Sequence, residues 1–244
     1  MKRLFADLHL RLNLRDSASA SRIINKAAKL GYRLIAAPLS PEAREDETSR
    51  LRSMCSEAKI DFASRVDIKP KTHGDLMRQL RRLRRKFEVV CVVCENKEVA
   101  RQAAKDRRVD LLNFPSLDFR KRFFDRAEAE LASSSLAALE IDVKPLLVLE
   151  GPARTRLLTS LRREASIARE FHVPIVVSSG ATSEMLLRKP REQAALASLF
   201  DLGETSALEA VSQNPMAIVK RNRQKLSSKF VAPGIRVIKE GKDC

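Results

Sequence analysis

Asp7 and His9 have the residue types and the spacing that metal chemistry uses. They stand two residues apart in Phe5-Ala-Asp-Leu-His9. Side chains alternate along a strand, so both are expected on one face. A carboxylate beside an imidazole binds one divalent ion and leaves positions open for water or substrate. A hydrolytic centre needs more ligands, converging from other strands. The chain has three histidines. His73 lies in Lys71-Thr-His-Gly74 ahead of a helix, and His172 lies at a helix end before a strand, so neither marks a strand tip. No multi-metal centre is expected, and the default role of Asp7 and His9 is structural and partly buried.

The next chemical candidate is Cys91-Val-Val-Cys94, a spacing shared with metal and redox pairs. It falls inside a β-branched run, Phe87-Glu-Val-Val-Cys-Val-Val-Cys94. On a strand, a separation of three sends the two sulfurs to opposite faces, where they share neither an ion nor an unstrained disulfide. With Cys55 and Cys244 they are expected as free thiols of a reducing cytoplasm. The remaining polar residues at strand ends are mixed in sign: Arg65 and Asp67, Asn113, then Glu140, Asp142 and Lys144, and Ser178-Ser179. An ion-pair network closing one end of the fold accounts for the carboxylates. A phosphate or partner pocket is the functional alternative, and Arg65 and Lys144 suit either.

These residues must be positioned by an alternation of strand and helix patterns. Apolar, β-rich runs fall at 3–10, 33–37, 60–68, 87–94, 109–114, 138–143 and 174–178. Helical patterns lie between them at Ser17–Leu30, 42–58, 75–86, Lys97–Lys105, 125–133 and 154–171, with two more at 191–200 and 205–213. Each strand followed by a helix demands parallel pairing with right-handed crossovers. Seven such units over 244 residues predict an α/β fold, a single TIM-like (β/α) barrel over 1–219, with a basic, irregular C-terminal tail over 220–244. Seven glycines and no Gly-rich phosphate loop exclude a dinucleotide fingerprint. No apolar run approaches the ~20 residues of a membrane span, and no apolar leader follows the two basic N-terminal residues. No membrane partner and a cytoplasmic location are therefore expected.

Charge dominates the composition. Lys and Arg number 47 against 31 acids, a formal net charge of +16. A field of that size attracts polyanions and speeds their encounter. The densest segment is Arg78-Gln-Leu-Arg-Arg-Leu-Arg-Arg-Lys86, where six of nine residues are cationic and none is acidic. Leu76, Leu80, Leu83 and Phe87 form its apolar stripe, leaving Arg78, Arg81, Arg82 and Arg85 together on another face. Like charges at i, i+4 destabilise a helix by a few tenths of a kcal/mol per pair, and a bound phosphate backbone relieves them. A second basic run holds Lys220, Arg221, Arg223 and Lys225. Smaller surface clusters are Arg120-Lys121-Arg122, Arg162-Arg163 and Arg188-Lys189. With 5% aromatic residues, base stacking has few platforms, so recognition should follow backbone and shape. The candidate RNA-binding set is Arg65, Arg78, Arg81, Arg82, Arg85, Lys86, Lys144, Arg188, Lys189, Lys220, Arg221, Arg223 and Lys225.

Longer stretches carry a resemblance. Within 173–214 run Val173-Pro-Ile-Val-Val-Ser-Ser-Gly-Ala181, Arg188-Lys-Pro-Arg-Glu192, Leu199-Phe-Asp-Leu-Gly203 and Glu209-Ala-Val-Ser-Gln-Asn-Pro215. Ser64-Arg-Val-Asp-Ile68, Val109-Asp-Leu-Leu112 and Leu139-Glu-Ile-Asp-Val-Lys-Pro145 support them. In order and spacing the chain resembles the thirty-kilodalton protein subunit of archaeal and eukaryotic ribonuclease P, a barrel of the PHP type. Asp7 and His9 also resemble the opening metal motif of the PHP phosphoesterases, in which two histidines hold that spacing. The first resemblance implies a non-catalytic, RNA-binding subunit of the ribonucleoprotein that removes 5′ leaders from precursor tRNA. It implies no cofactor in the protein, Mg on the RNA partner, and a small ferredoxin-like protein subunit as a further partner. It also implies lost metal ligands, leaving Asp7 and His9 as vestigial contacts. The alternative is an active PHP-type metal-dependent phosphoesterase.

Overall fold

The computed structural model describes residues 3–232 and 235–236. Seven strands form one sheet: β1 (Ala6–Asp7), β2 (Leu34–Leu39), β3 (Asp61–Ile68), β4 (Val89–Val93), β5 (Leu111–Asn113), β6 (Ala138–Asp142) and β7 (Ile175–Ser178). Strand order follows chain order and every neighbouring pair is parallel. The crossovers are α1 (Ser17–Leu30), α2 (Glu45–Glu57), α3 (His73–Leu83), α4 (Lys97–Lys105), α5 (Arg126–Ser135), then the short α6 (Lys144–Val148) with the long α7 (Gly151–Glu170). After β7 come α8 (Pro190–Leu196), α9 (Glu204–Ala210) and α10 (Gln213–Leu226), then a two-stranded hairpin, β8 (Phe230–Ala232) with β9 (Ile235–Arg236). This is the α/β barrel of TIM type expected from the alternation, closed except at one seam.

Local chemistry sets the helix ends. Asp16, Thr72, Asn96 and Asp125 cap α1, α3, α4 and α5, each side chain accepting a backbone N–H of the first turn. Gly31 ends α1 at φ 102°, a conformation that favours glycine. The residue pattern ends the second strand before Pro38, yet β2 runs through it to Leu39. The Ala36 carbonyl, which points the same way as the Pro38 nitrogen, accepts from Leu10 beyond the end of β1. β1 pairs only with Leu34 and Ile35, so no ladder partner stands at Pro38 to require an N–H.

Two apolar layers result. Ala6, Leu8, Leu34, Ala36, Ala63, Val89, Cys91, Leu111, Ala138 and Val176 fill the barrel interior. A larger layer lies between the sheet and the helices. Most interior residues are small or β-branched, as a narrow barrel requires. Its floor is closed by Ile218 and Val219 of α10.

That floor corrects the expected tail. Residues 220–226 are helical, not irregular, because Pro215, Ile218, Val219 and Asn222 recur at helical spacing and are buried. The boundary at 219 therefore falls inside a helix. Residues 237–244, including Cys244, lie outside the described residues. No helix among the described residues is long and apolar enough to cross a membrane.

Glu128 on α5 is fully buried, and neither carboxylate oxygen has a hydrogen-bond partner. Arg101 Nε lies 3.4 Å away but is itself unsatisfied. Burial outweighs the attraction of Arg101 and pushes the carboxyl up to about 8. The folded value lies above the ordinary 4.5, so the folded state holds a proton that the unfolded chain releases. Stability should therefore fall as pH rises from 4.5 to about 8. Glu128→Gln should remove that fall. A gain of ~1 kcal/mol at pH 8, equivalent to roughly 2–4 °C in Tm, is expected from thermal melts, with little gain at pH 5. Equal effects at the two pH values would show that Glu128 is ionised in the fold.

Candidate functional site

Most inward-facing strand positions near the barrel mouth are polar, Pro38 and Val93 being the exceptions, and one cation stands at the centre. Arg65 of β3 has no exposed surface. Its Nη1 and Nη2 donate to the two oxygens of Glu140 on β6, at 2.6 and 2.7 Å. Its Nε donates to Asp67 Oδ1 at 2.6 Å, and Nη1 also donates to the Leu8 carbonyl at 2.7 Å. Ser178 Oγ and Asn113 Nδ2 also donate to Glu140, at 2.8 and 3.0 Å. The network thus ties β3, β5, β6 and β7 to the segment after β1. The expectation that Arg65 contacts RNA is corrected by this geometry: its donors are committed inside the barrel, where no phosphate reaches them.

His9 completes the group. Its Nδ1 lies 2.8 Å from Asp142 Oδ1, and its Nε2 lies 3.4 Å from Asp67 Oδ2. Burial and the nearby Arg65 charge favour the neutral ring, but Asp142 and Asp67 outweigh them and raise the imidazole to about 9. Asp67 and Asp142 are both lowered despite burial, by Arg65 and His9. Arg11 Nε stands 3.1 Å from His9 Nε2. That contact is a hydrogen bond only with a neutral ring, and the two carboxylates favour the protonated one, so Arg11 is an adjacent cation at the rim.

Asp7 does not share this pocket. Ala6 of β1 and Leu8 just beyond it face inward, so Asp7 faces outward, toward Tyr32, whose hydroxyl senses its charge. The strand ends at Asp7 because Asp7 Oδ1 accepts the His9 N–H at 3.1 Å, and this turn swings His9 inward. The same oxygen accepts the Ser179 N–H at 3.0 Å. Arg11 N–H adds a bond to the Ala181 carbonyl at 2.9 Å. Asp7 therefore bridges the open seam between β1 and β7, a role that strand alternation alone hid.

A divalent ion fits this set poorly. His9, Glu140 and Asp142 bring one ligand atom each within 4.8 Å of one another. Both Glu140 oxygens already accept from Arg65, however, and His9 and Asp142 are bonded to each other. An ion there would meet a fixed guanidinium. The cysteine pair fails as expected: Cys91 faces the interior and Cys94 the helix layer. Both thiols are pushed up by burial, and Cys55, Cys91 and Cys94 are free. Above the network open two small cavities of about 220 and 230 Å³, lined by Arg11 and Asn113, the first with Lys144 and the second with Lys69. Lys144 Nζ donates to Thr182 Oγ1. Gly180, at φ 63°, leaves room for Asp142, which a Cβ there would meet at 3.2 Å.

The surface cations gather elsewhere. Arg78 pairs with Asp75 at 2.6 Å and Arg82 with Glu42 at 3.3 Å, so half of the α3 arginine face is neutralised after all. Arg81, Arg85 and Lys86 are exposed. The two basic segments, far apart in sequence, meet at the floor end of the barrel. Arg84 and Arg221 donate to the two oxygens of buried Asp110, joined by Asn222 Nδ2 at 2.8 Å. Arg223 is spent on Glu88 and Asp61. Lys225 is lowered by partial burial and by Arg221, with Arg84 and Arg107 adding to it, which marks a positive end. Lys86 and Arg223 line one open cleft there, and Lys220 lines a second one, again with Arg223. Ahead of α8, Arg188 donates to the Met185 and Leu187 carbonyls and Lys189 lies 3.9 Å from Glu192.

Seven parallel strands whose mouth is held by a buried ion-pair network define a barrel of the TIM type. A family profile described as RNase P subunit p30 matches residues 4–227, and the chain belongs to that family. "Ribonuclease P protein component 3" of Methanosarcina barkeri is 37% identical over 160 residues, a stretch spanning 66% of each chain. The protein of that name in Methanothermobacter thermautotrophicus is 28% identical over 241 residues, 97% of this chain and 96% of the relative. A chain in the cryo-EM structure of archaeal ribonuclease P with mature tRNA superposes with TM-score 0.85 at 23% identity, covering 98% of this chain and all of that one.

The buried pair gives a direct test. Breaking one partner of such a pair costs about 3–5 kcal/mol. Glu140→Gln should lower the urea unfolding free energy by that order, with the slope unchanged. A loss under about 1 kcal/mol would mean that Asp67 alone satisfies Arg65.

Proposed function

We propose that this protein is the RNA-holding barrel subunit of a ribonuclease P ribonucleoprotein, which removes the 5′ leader of precursor tRNA. On this reading it contributes no catalytic group. The catalytic Mg²⁺ belongs to the RNA, and the protein carries no cofactor of its own. Its partners are ribonuclease P RNA, precursor tRNA, a small ferredoxin-like protein subunit and other subunits, and it works in the cytoplasm.

The observation that carries the reading is the separation of charge. The strand-end carboxylates, where a barrel enzyme keeps its chemistry, are consumed by Arg65 and His9. The uncommitted cations lie outside, with Arg81, Arg85, Lys86, Lys220 and Lys225 at or near the floor end. A phosphate-tracking surface needs spread, solvated cations and not a closed pocket. Arg65 drops out of the candidate set, and Arg221 and Arg223 hold the surface in place through Asp110, Glu88 and Asp61. Lys144 at the mouth, and Arg188 and Lys189 ahead of α8, are weaker candidates. The phosphoesterase alternative is not favoured, because the ligand positions are already ion-paired.

The test is RNA binding as a function of salt. Arg81→Ala, Arg85→Ala and Lys86→Ala combined should leave the circular dichroism and Tm unchanged. Affinity for ribonuclease P RNA should drop. The slope of log K against log salt should fall by about one for each phosphate no longer neutralised, so by up to about three. An unchanged slope would remove this face from the interface.

A further inference from the structure

We infer that the cleft where α10 meets β8 takes an unstacked nucleotide of single-stranded RNA, its base against Phe230 and its phosphates on Lys220 and Lys229. The inference rests on the proposed RNA-holding role and gives that role a particular RNA conformation. The cleft lies at the floor end, and its volume of about 510 Å³ falls within the ~300–1,000 Å³ of small-ligand sites. Its wall is apolar: Met216 and Val219 of α10, Leu34 of β2 and Phe230 of β8. Its rim is cationic: Lys220 and Lys229, both exposed, with Arg223. No acidic residue lines it. The mouth cavities and the neighbouring cleft differ in this, since each has carboxylates among its cations.

An apolar wall under a cationic rim fits one RNA conformation and not another. Duplex RNA keeps the faces of its bases in the stack and offers a protein phosphates, 2′-hydroxyls and groove edges. Cations alone serve such a partner, and an apolar wall adds nothing. An unstacked base has a free π-face that an aromatic ring covers, whatever the base. Phe230 is only half-buried. Its N–H donates to the Ser227 carbonyl at 3.0 Å and its strand pairs with β9, which hold it against the end of α10. The chain has one tyrosine and no tryptophan, yet it supplies this one stacking surface. Met216, Lys220 and Gln224 follow at intervals of four along α10, so they share a face. Gln224 is exposed and offers a donor and an acceptor to a base edge. Arg223, held by Glu88 and Asp61, lines both this cleft and the one beside it. It is a fixed positive ridge between them, and a strand crossing it meets Lys86 and Arg52 on the far side.

The experiment is fluorescence anisotropy on the full-length chain with one RNA strand of mixed sequence, free and annealed to its complement. The strand is about 12 nucleotides long, within the ~4–16 of single-strand sites. Phe230→Ala should weaken binding of the free strand by ~10-fold and leave the duplex within about two-fold. It should not change the salt slope, because stacking releases no counterions. Phe230→Trp should keep wild-type affinity. Lys220→Ala with Lys229→Ala should lower the salt slope for the free strand by about 1.4, the value for two single-strand phosphates. Photocrosslinking of wild type to the same strand, with thiouridine in place of uridine, should put an adduct on Phe230 or Met216, a readout that needs no variant to fold. Equal loss on strand and duplex, no loss in a folded Phe230→Ala protein, or adducts only outside the cleft would each overturn the nucleotide site. The last result would leave the cleft to an apolar segment of a partner protein. In all three the RNA-holding role stands, whereas a wild type that binds neither RNA would overturn both.

Discussion

A guanidinium sealed from water, gripped by two carboxylates and a backbone carbonyl, is the constraint around which this barrel closes. Arg65 cannot be buried without Glu140 and Asp67, and neither carboxylate can be buried without Arg65. Around that core, Ser178, Asn113 and the Cys91 thiol at 3.6 Å add further donors to Glu140. Strands β3 to β7 each contribute a side chain, and the segment after β1 contributes a carbonyl and His9. Apolar packing among small interior residues is non-directional. The ion-pair network has fixed distances and so specifies which strand ends face each other. Asp7 does the corresponding work at the seam, where no ladder joins β1 to β7.

The same economy of charge explains how a chain of net charge +16 divides its arginines. One group is structural: Arg65 in the mouth, Arg122 on Glu164 between the β5–α5 loop and α7, and Arg84, Arg221 and Arg223 under the floor. These are bidentate or multiply bonded contacts to acids, for which the planar fork is suited. The other group, including Arg81 and Arg85 with Lys86 beside them, is solvated. The structural arginines of α10 hold the floor rigid while the solvated cations crowd around it. That arrangement places a polyanion-attracting surface on a stiff support, at the far end from the barrel's usual seat of chemistry.

Much of this is legible in the residue order. Repeated apolar runs separated by capped helical patterns specify the barrel, and Ser17–Leu30 and Lys97–Lys105 match their observed limits because clear caps or end residues bracket them. The ion-paired mouth is visible as mixed charges at strand ends. Three features are not legible. Strand alternation puts Asp7 on the His9 face, but a side-chain turn ends β1 between them, and alternation holds only while the strand lasts. α10 is hidden by its charge: Lys220 to Lys225 dominate the composition, while the informative signal is the sparse stripe of Pro215, Ile218, Val219 and Asn222. The convergence of the two basic segments on Asp110 depends on contacts across more than a hundred residues, and no local pattern encodes it. Arg122, which local composition assigns to a surface cluster, is buried for the same reason, since Glu164 lies 42 positions away.

That this barrel holds RNA and performs no chemistry at its strand ends is tested most directly by turnover of precursor tRNA, measured on the reconstituted ribonucleoprotein at saturating protein. The variant is His9→Gln with Asp142→Asn, which keeps hydrogen-bonding groups in place but removes the acid-base capacity, the carboxylate charge and the imidazole ligand of that pair. A scaffold role predicts a kcat within a few-fold of wild type. Loss of a general acid-base group lowers the rate by about 10²–10⁴-fold. A fall of that size, in protein whose Tm and RNA affinity are unchanged, would contradict the scaffold role and return catalysis to the barrel mouth.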